Sequence, residues 1–187
     1  MNCIIIHGSN SDEKGAKIGG VENTRHWHPW LKRQLEEKGI KVSGELYPFD
    51  WKPDYKQWKN IFEKNKIDEN TILVGHSAGC AFLLRWLSEK KRKVRKLILV
   101  APYIIDSPKA PFLSDLVNFE INKDIKNCFD VLIIFYSDND NKDIIDSAVL
   151  INKKLGGKII RFKDRGHFTL KDMKTEKFPE LLDAILK

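Results

Sequence analysis

The residues best suited to chemistry form a Gly-His-Ser-Ala-Gly stretch at positions 75–79, with Ser77 at its centre. The apolar segment 71–74 before it predicts a buried strand, and segment 80–84 after it predicts a helix. A serine on a tight strand-to-helix turn is held in a strained conformation that exposes its hydroxyl, and the glycines let strand and helix approach closely. Ser77 is therefore the candidate nucleophile. The N–H of Ala78, at the start of the helix, is a candidate donor to an oxyanion.

A serine hydroxyl is a weak nucleophile until a base accepts its proton. Of the five histidines, His167 follows the last strand-like segment and is predicted to lie at the same sheet edge as Ser77, so we interpret it as the base. His76 is expected to point away from Ser77 and to serve packing. His26 and His28 form a His-x-His pair without a cysteine or carboxylate at ligand spacing, so no metal site is predicted.

The base needs an acid that orients its imidazole and stabilises the imidazolium. The strand-like segment 131–136 is followed by Ser-Asp-Asn-Asp, so Asp138 and Asp140 are both placed to orient His167. The sequence spacing does not decide which of the two acids orients His167.

A second oxyanion donor is expected from the loop after the first strand, which begins His7-Gly8-Ser9-Asn10. Gly8 permits a sharp turn, and the Ser9 N–H is the predicted donor. A phosphate-binding loop is the competing interpretation, but neither Gly-x-Gly-x-x-Gly nor a Walker pattern is present. Nucleotide binding is therefore not predicted.

The elements that must position these residues alternate along the chain. Apolar segments at 2–7, 41–47, 71–74, 96–101, 131–136 and 158–162 predict six strands, and stripes of helical periodicity lie between nearly all of them. Ser43 and Gly44 interrupt the second segment, as suits an edge strand. This alternation predicts an α/β fold with parallel strands, right-handed crossovers and helices on both faces.

Two predicted loops, 8–24 and 102–127, are long and leave the carboxyl ends of strands, where open parallel sheets bind their ligands. Aromatic and apolar residues in or near these loops and the base are candidates for the pocket that holds an acyl group. They are Trp27, Trp30, Phe112, Leu113 and Phe168, and packing in the core is the alternative for each of them.

Composition limits the remaining possibilities. The chain has 187 residues, 42% hydrophobic and 32% charged, so residues 1–187 are expected to form a single domain. Neither a membrane-spanning run nor a secretory signal is recognised, and three widely spaced cysteines fit a reduced, cytoplasmic protein. The net charge is +7, but the basic run 90–96 lacks interleaved aromatics. It is interpreted as a solvated helix end, and nucleic acid is not a predicted partner.

With these motifs placed, the chain resembles the small α/β-hydrolases related to retinoblastoma-binding protein nine and the bacterial YdeN proteins. The similarity extends over nearly the whole chain and rests on His7-Gly8, the Gly-His-Ser stretch, Trp27 and Trp30, and Gly-His-Phe at 166–168. It implies a three-layer α/β-hydrolase fold with a doubly wound six-stranded parallel sheet in the order 2-1-3-4-5-6 and no large lid domain. It also implies a Ser-Asp-His triad whose acid is the later carboxylate of Ser-x-x-Asp, which is Asp140 here.

The function expected from these residues is hydrolysis of ester or amide bonds in small acyl substrates, through an acyl-enzyme on Ser77. Neither a cofactor nor a metal is needed for this reaction, and the expected partner is a small acyl substrate. The alternative is a non-catalytic interaction protein that keeps the hydrolase fold, with a protein partner that the sequence does not identify.

Overall fold

The computed structural model describes residues 1–10, 26–45 and 47–187. Its strands form one parallel sheet. Within these ranges the sheet has six strands in the order β2-β1-β3-β4-β5-β6, and every neighbouring pair is parallel. The predicted order is confirmed. The strands are β1 (Asn2–Ile6), β2 (Lys41–Ser43), β3 (Thr71–His76), β4 (Val94–Val100), β5 (Phe129–Ser137) and β6 (Lys158–Phe162).

Helices connect the strands. The α-helices of the described ranges are α1 (His28–Glu36), α2 (Tyr55–Phe62), α3 (Ala78–Lys90), α4 (Ser114–Val117), α5 (Lys142–Leu155), α6 (Leu170–Met173) and α7 (Pro179–Leu186). Because the strand order reverses direction at β1, right-handed crossovers place α1 on one face of the sheet and α2, α3 and α5 on the other. Consistent with this, α1 packs on α7 and α2 packs on α3.

The central strands are apolar because helices cover both of their faces. Every residue of β3 is buried, and four of the five residues of β1 are buried. Helix α5 turns one apolar stripe towards the core, since Ile144, Ala148 and Ile151 are all buried. Edge strand β6 is mostly exposed.

Strand β2 is shorter than the predicted segment 41–47. Its pairing with β1 ends at Ser43, and the main-chain N–H of Tyr47 donates to the imidazole Nε2 of His7 at 3.1 Å. The backbone therefore leaves the ladder to bind a side chain at the end of β1. Leu46, which the prediction included, lies outside the described residues.

The basic run 90–96 is solvated only in part. As predicted, α3 ends at Lys90. Lys96, however, is buried within β4, and its ammonium donates to the main-chain carbonyls of Ala184 and Ile185 at the end of α7. Burial lowers the pKa of Lys96. This cation complements the partial negative charge of a helix C-terminus.

The long segment between β4 and β5 contains two short 3₁₀ turns, Pro111–Leu113 and Lys123–Cys128, and the four-residue helix α4. Its apolar residues Leu116 and Val117 pack into the core. This described segment forms no separate lid domain. No helix in the described parts of the chain is long and apolar enough to cross a membrane.

Candidate active site

Ser77 lies on the turn between β3 and α3, as the sequence predicts. Its backbone has φ 53° and ψ −120°, a region that costs a non-glycine residue about 1–3 kcal/mol and persists only where the surroundings impose it. The Ser77 N–H donates to the carbonyl of Val100 on β4 at 3.0 Å, which helps to impose it.

Two glycines make this turn possible. A Cβ on Gly79 would lie 2.6 Å from the carbonyl oxygens of both Ile6 and His7, so α3 and the end of β1 are in direct backbone contact. A Cβ on Gly8 would lie 2.9 Å from Cβ of Ser77, so the loop after β1 passes directly against the serine. The expectation that the flanking glycine permits close approach is confirmed for Gly79.

His167 is paired with Asp140. The imidazole Nδ1 lies 2.9 Å from Oδ2 of Asp140, whose side chain is only 2% exposed, against 28% for His167. The second oxygen of Asp140 accepts the Asn141 N–H at 2.7 Å. Of the two acids that the spacing leaves open, the structure brings Asp140 to the histidine.

The carboxylate of Asp138 binds Arg161 and not His167. Its carboxylate pairs with the guanidinium of Arg161 at 2.5 Å, and this hydrogen bond holds the pKa of Asp138 below its ordinary value. The loop that carries His167 is braced instead by Ser137 and Asn139. Alternation along the chain could not reveal this, because the bracing bonds reach into a loop after a different strand.

Main-chain groups just before His167 are bound by side chains at the end of β5. The Arg165 N–H donates to Ser137 Oγ at 2.9 Å, and the Gly166 N–H donates to Asn139 Oδ1 at 2.8 Å. The Ser137 hydroxyl donates to the same Asn139 oxygen at 2.7 Å. These contacts connect the two loops that carry Asp140 and His167.

The carboxylate of Asp172 binds the main-chain N–H of His167. Its Oδ2 accepts from the His167 N–H at 3.1 Å and from the Thr169 hydroxyl at 2.7 Å. Burial raises the pKa of Asp172, but the hydrogen bonds from Thr169 and His167 outweigh it, so the pKa lies below its ordinary value. The Thr169 hydroxyl accepts the Asp172 N–H in return, and the Thr-x-x-Asp spacing is a sequence signal for such a capping box.

The side chain of His76 also contacts the main chain of His167. Nε2 of His76 lies 2.9 Å from the carbonyl oxygen of His167, so Nε2 carries the proton and donates. Its ring also lies against those of Trp27 and His28. Burial, and then repulsion from neighbouring imidazoles, places the pKa of His76 well below its ordinary value. The packing interpretation of His76 is therefore incomplete.

The loop after β1 begins with a second neutral histidine. Since Nε2 of His7 accepts the Tyr47 N–H, its Nδ1 carries the proton and donates to the Gly8 carbonyl at 2.6 Å. Burial lowers the pKa of His7, and its bond to Gly8 and the charge of Asp50 offset this only in part. The first turn of the loop is thus fixed by a single tautomer.

Ser9, the predicted second oxyanion donor, lies between Gly8 and Asn10. Asn10 is anchored to Asp50 by two hydrogen bonds, from its N–H to the main-chain carbonyl at 3.2 Å and from its amide to the carboxylate at 2.5 Å. Ala78, the first predicted donor, is the first residue of α3. Most of the predicted loop 8–24 lies outside the described residues.

Three of the five predicted pocket residues belong to the core. Trp27, Leu113 and Phe168 are 1%, 4% and 0% exposed, and the Phe168 ring stacks on Phe178 with centroids 5.3 Å apart. The expectation that they offer surface to an acyl group does not fit this burial. Their physical role is to pack beneath the loops, and aromatic residues in loops give no sequence signal that separates these two roles.

Trp30 and Phe112 remain partly exposed. Phe112 lines a cavity of about 410 Å³ together with Phe49 and Trp51. The aromatic turn that carries Phe49 and Trp51 also carries Asp50, the anchor of Asn10.

A metal ion needs several ligating side chains arranged close together. Across residues 1–10, 26–45 and 47–187, no group of three or more His, Cys, Asp or Glu side chains is arranged to hold a metal ion. His26, a member of the His-x-His pair, instead accepts the Leu170 N–H through Nδ1 at 3.1 Å.

A parallel sheet in this order, with a strained serine after β3, defines an α/β-hydrolase fold. The sequence pattern of the family described as "Serine hydrolase" matches residues 18–185. The chain belongs to this serine hydrolase family.

Individual relatives agree with this assignment. YdeN of Bacillus subtilis (strain 168) is 25% identical over 187 residues, covering 97% of this chain and 92% of YdeN. Serine hydrolase RBBP9 of Rattus norvegicus is 28% identical over 157 residues, covering 80% and 82%. The crystal structure of the B. subtilis ydeN product superposes with a TM-score of 0.82, at 21% identity and 99% and 96% coverage. Est1E of Butyrivibrio proteoclasticus, with ferulic acid bound, has a TM-score of 0.65, at 14% identity and 98% and 86% coverage.

Proposed function

We propose that this serine hydrolase cleaves ester bonds of small acyl substrates through a Ser77-Asp140-His167 triad. The observation that carries the proposal is the 2.9 Å contact between His167 Nδ1 and the almost fully buried carboxylate of Asp140. A carboxylate in this position keeps the proton on Nδ1 and leaves Nε2 free to accept the serine proton. The strained backbone of Ser77 supports its role as the nucleophile.

In the proposed reaction, His167 removes the hydroxyl proton of Ser77 while Oγ attacks the ester carbonyl. The tetrahedral oxyanion accepts hydrogen bonds from the N–H groups of Ser9 and Ala78. His167 then protonates the leaving alcohol, and water, deprotonated by the same imidazole, attacks the acyl-enzyme and releases the acid. Asp140 stabilises the imidazolium in both steps.

The acyl group is proposed to bind near Phe112, because this side chain is partly exposed and lines a cavity with Phe49 and Trp51. On the same fold, Est1E binds ferulic acid, a carboxylic acid, which supports acyl groups as the ligand class. A panel of activated esters and matching anilides, varied in acyl length, tests ester against amide preference.

Labelling with a fluorophosphonate tests the nucleophile. We expect one phosphonyl group per wild-type chain by intact mass, none on Ser77→Ala, and normal labelling of Ser88→Ala, a serine on the same helix. Labelling of Ser77→Ala would contradict the assignment. A folded wild type that neither labels nor hydrolyses any ester would instead support the non-catalytic alternative.

A further inference from the structure

Asp140 and His167 belong to two loops that the sheet alone does not hold together. The acid loop (residues 138–141) follows β5, and the base loop (residues 163–169) follows β6. The last paired residues of these strands are Ser137 and Phe162. Asp140 therefore lies three residues beyond the ladder and His167 five residues beyond it, so their distance must depend on contacts between the loops.

Those contacts come from Ser137 and Asn139, which we call the clasp. Ser137 Oγ accepts the Arg165 N–H, and Asn139 Oδ1 accepts the Gly166 N–H. The Ser137 hydroxyl, donating to the same Oδ1, links the two members. The orientation of the Asn139 amide follows from its partner, because only its oxygen can accept an N–H.

We propose that the clasp positions the base relative to the acid, a role that rests on the proposed function. Asn139 directly precedes Asp140, and Gly166 directly precedes His167, so the 2.8 Å bond between Asn139 and Gly166 joins the loops one residue from each triad member. Neither clasp residue touches the reacting atoms. They act by fixing the Nδ1 to Oδ2 distance, and a misplacement of about 1 Å in such a site costs about 100-fold in rate.

Asn139 gives the sharper test, because it is exposed whereas Ser137 is completely buried. Replacing an exposed residue disturbs no core packing. The chain also offers a matched control in Asp138, which lies in the same loop but forms its ion pair with Arg161 outside the clasp.

The experiment compares Asn139→Ala, Asn139→Asp and Asp138→Asn with the wild type. Turnover of p-nitrophenyl acetate gives kcat and KM, and proton NMR follows the far-downfield signal of the His167 Nδ1 proton shared with Asp140. For Asn139→Ala we expect kcat to fall about 10- to 100-fold with little change in KM, and the downfield signal to move or broaden. Asp138→Asn should keep both.

Asn139→Asp keeps an oxygen that accepts both hydrogen bonds, so it should restore kcat. It also adds a carboxylate next to the triad, which favours the imidazolium and should shift the acid limb of the rate profile to higher pH. This shift comes from the added charge itself, so the test of positioning is the rescue of kcat and of the downfield signal.

Three results would overturn the proposal: wild-type kcat and NMR signal in Asn139→Ala, equal losses in Asp138→Asn, or an Asn139→Asp variant as impaired as Asn139→Ala. The NMR signal separates this failure from that of the proposed function. If the wild type hydrolyses no ester, the change in the signal on clasp removal still tests the positioning role.

Discussion

A hydrogen bond of 2.9 Å joins the imidazole Nε2 of His76 to the main-chain carbonyl oxygen of His167. Because His76 directly precedes Ser77, this bond connects the serine turn to the base loop across 91 positions of sequence. The side chain before the proposed nucleophile therefore contacts the backbone of the proposed base, and its buried imidazole donates through Nε2.

Replacing His76 should distinguish this donor role from simple packing. His76→Leu fills much of the space but cannot donate, and we expect kcat for an activated ester to fall by about tenfold or more. His76→Gln keeps an N–H donor and should retain most of the activity. Steady-state kinetics on both folded variants checks this, and equal activity of the two would contradict it.

Replacing Asp140 should lower the activity far more than replacing Asp138. Asp140→Asn favours the wrong imidazole tautomer and should lower kcat by roughly 10⁴, as in the well-studied serine proteases. Asp138→Asn removes only an exposed ion pair with Arg161 and should have little effect. A crippled Asp138→Asn beside a nearly normal Asp140→Asn would reverse the assignment.

Gly79→Ala should destabilise the protein. The new methyl group would meet two main-chain carbonyl oxygens at 2.6 Å, and overpacking of this kind costs about 1–3 kcal/mol. Urea unfolding measures the change in the free energy of unfolding. Ser88→Ala, on the outer part of the same helix, is the control and should differ little from the wild type.

Acid should destabilise the fold through its buried histidines. The pKa values of His28 and His76 lie well below their ordinary value, chiefly because of burial. Below the ordinary pKa of about 6.5 the unfolded chain binds protons at these positions and the folded chain does not, so stability is full above that pH and falls as pH decreases. Two such protons give a slope of about 3 kcal/mol per pH unit.

Urea unfolding at several pH values between 7 and 5 tests this slope, using about the range in which an ordinary histidine titrates. His76→Gln removes one titrating group and should make the slope shallower by about 1.4 kcal/mol per pH unit. A wild-type stability that stays constant over this range would contradict the buried, neutral assignment.

Neighbouring residues of the 3₁₀ turn after β4 should respond differently to truncation. Leu113 is buried, so Leu113→Ala should lower the free energy of unfolding by about 2–5 kcal/mol. Phe112 lines the cavity, so Phe112→Ala should instead alter kcat/KM among esters of different acyl length. Parallel unfolding and kinetic measurements separate the two effects, and unchanged ester selectivity in Phe112→Ala would remove this side chain from the acyl site.

The parts of the fold that follow from local sequence were predictable. Continuous Ile, Leu and Val reveal strands buried on both faces, and the 75–79 pattern locates the serine turn because its flanks differ so clearly. The end of β2 was not predictable, since Tyr47 leaves the ladder to bind His7, a residue 40 positions away. Local periodicity carries no information about such a partner.

The candidate site was likewise predictable only in part. The spacing reduced the acid to Asp138 or Asp140, and resemblance to a family chose the residue that contacts His167. The clasp at Ser137 and Asn139 escaped prediction because its partners lie 28 and 27 positions further along the chain. The choice between core and pocket for Trp27 and Phe168 stayed open, because an aromatic residue has the same sequence signature in either place.

The backbone contact at Gly79 has a consequence for how this scaffold can diversify. With no Cβ between α3 and the carbonyls of Ile6 and His7, the spacing between the two proposed oxyanion donors is set by main-chain atoms touching one another. Exchanging loop side chains that touch neither this contact nor the bonds of His7 and Asn10 should leave that spacing unchanged. Substrate range and catalytic geometry are thereby separable, so redesign of the loops for a new ester need not rebuild the reaction centre.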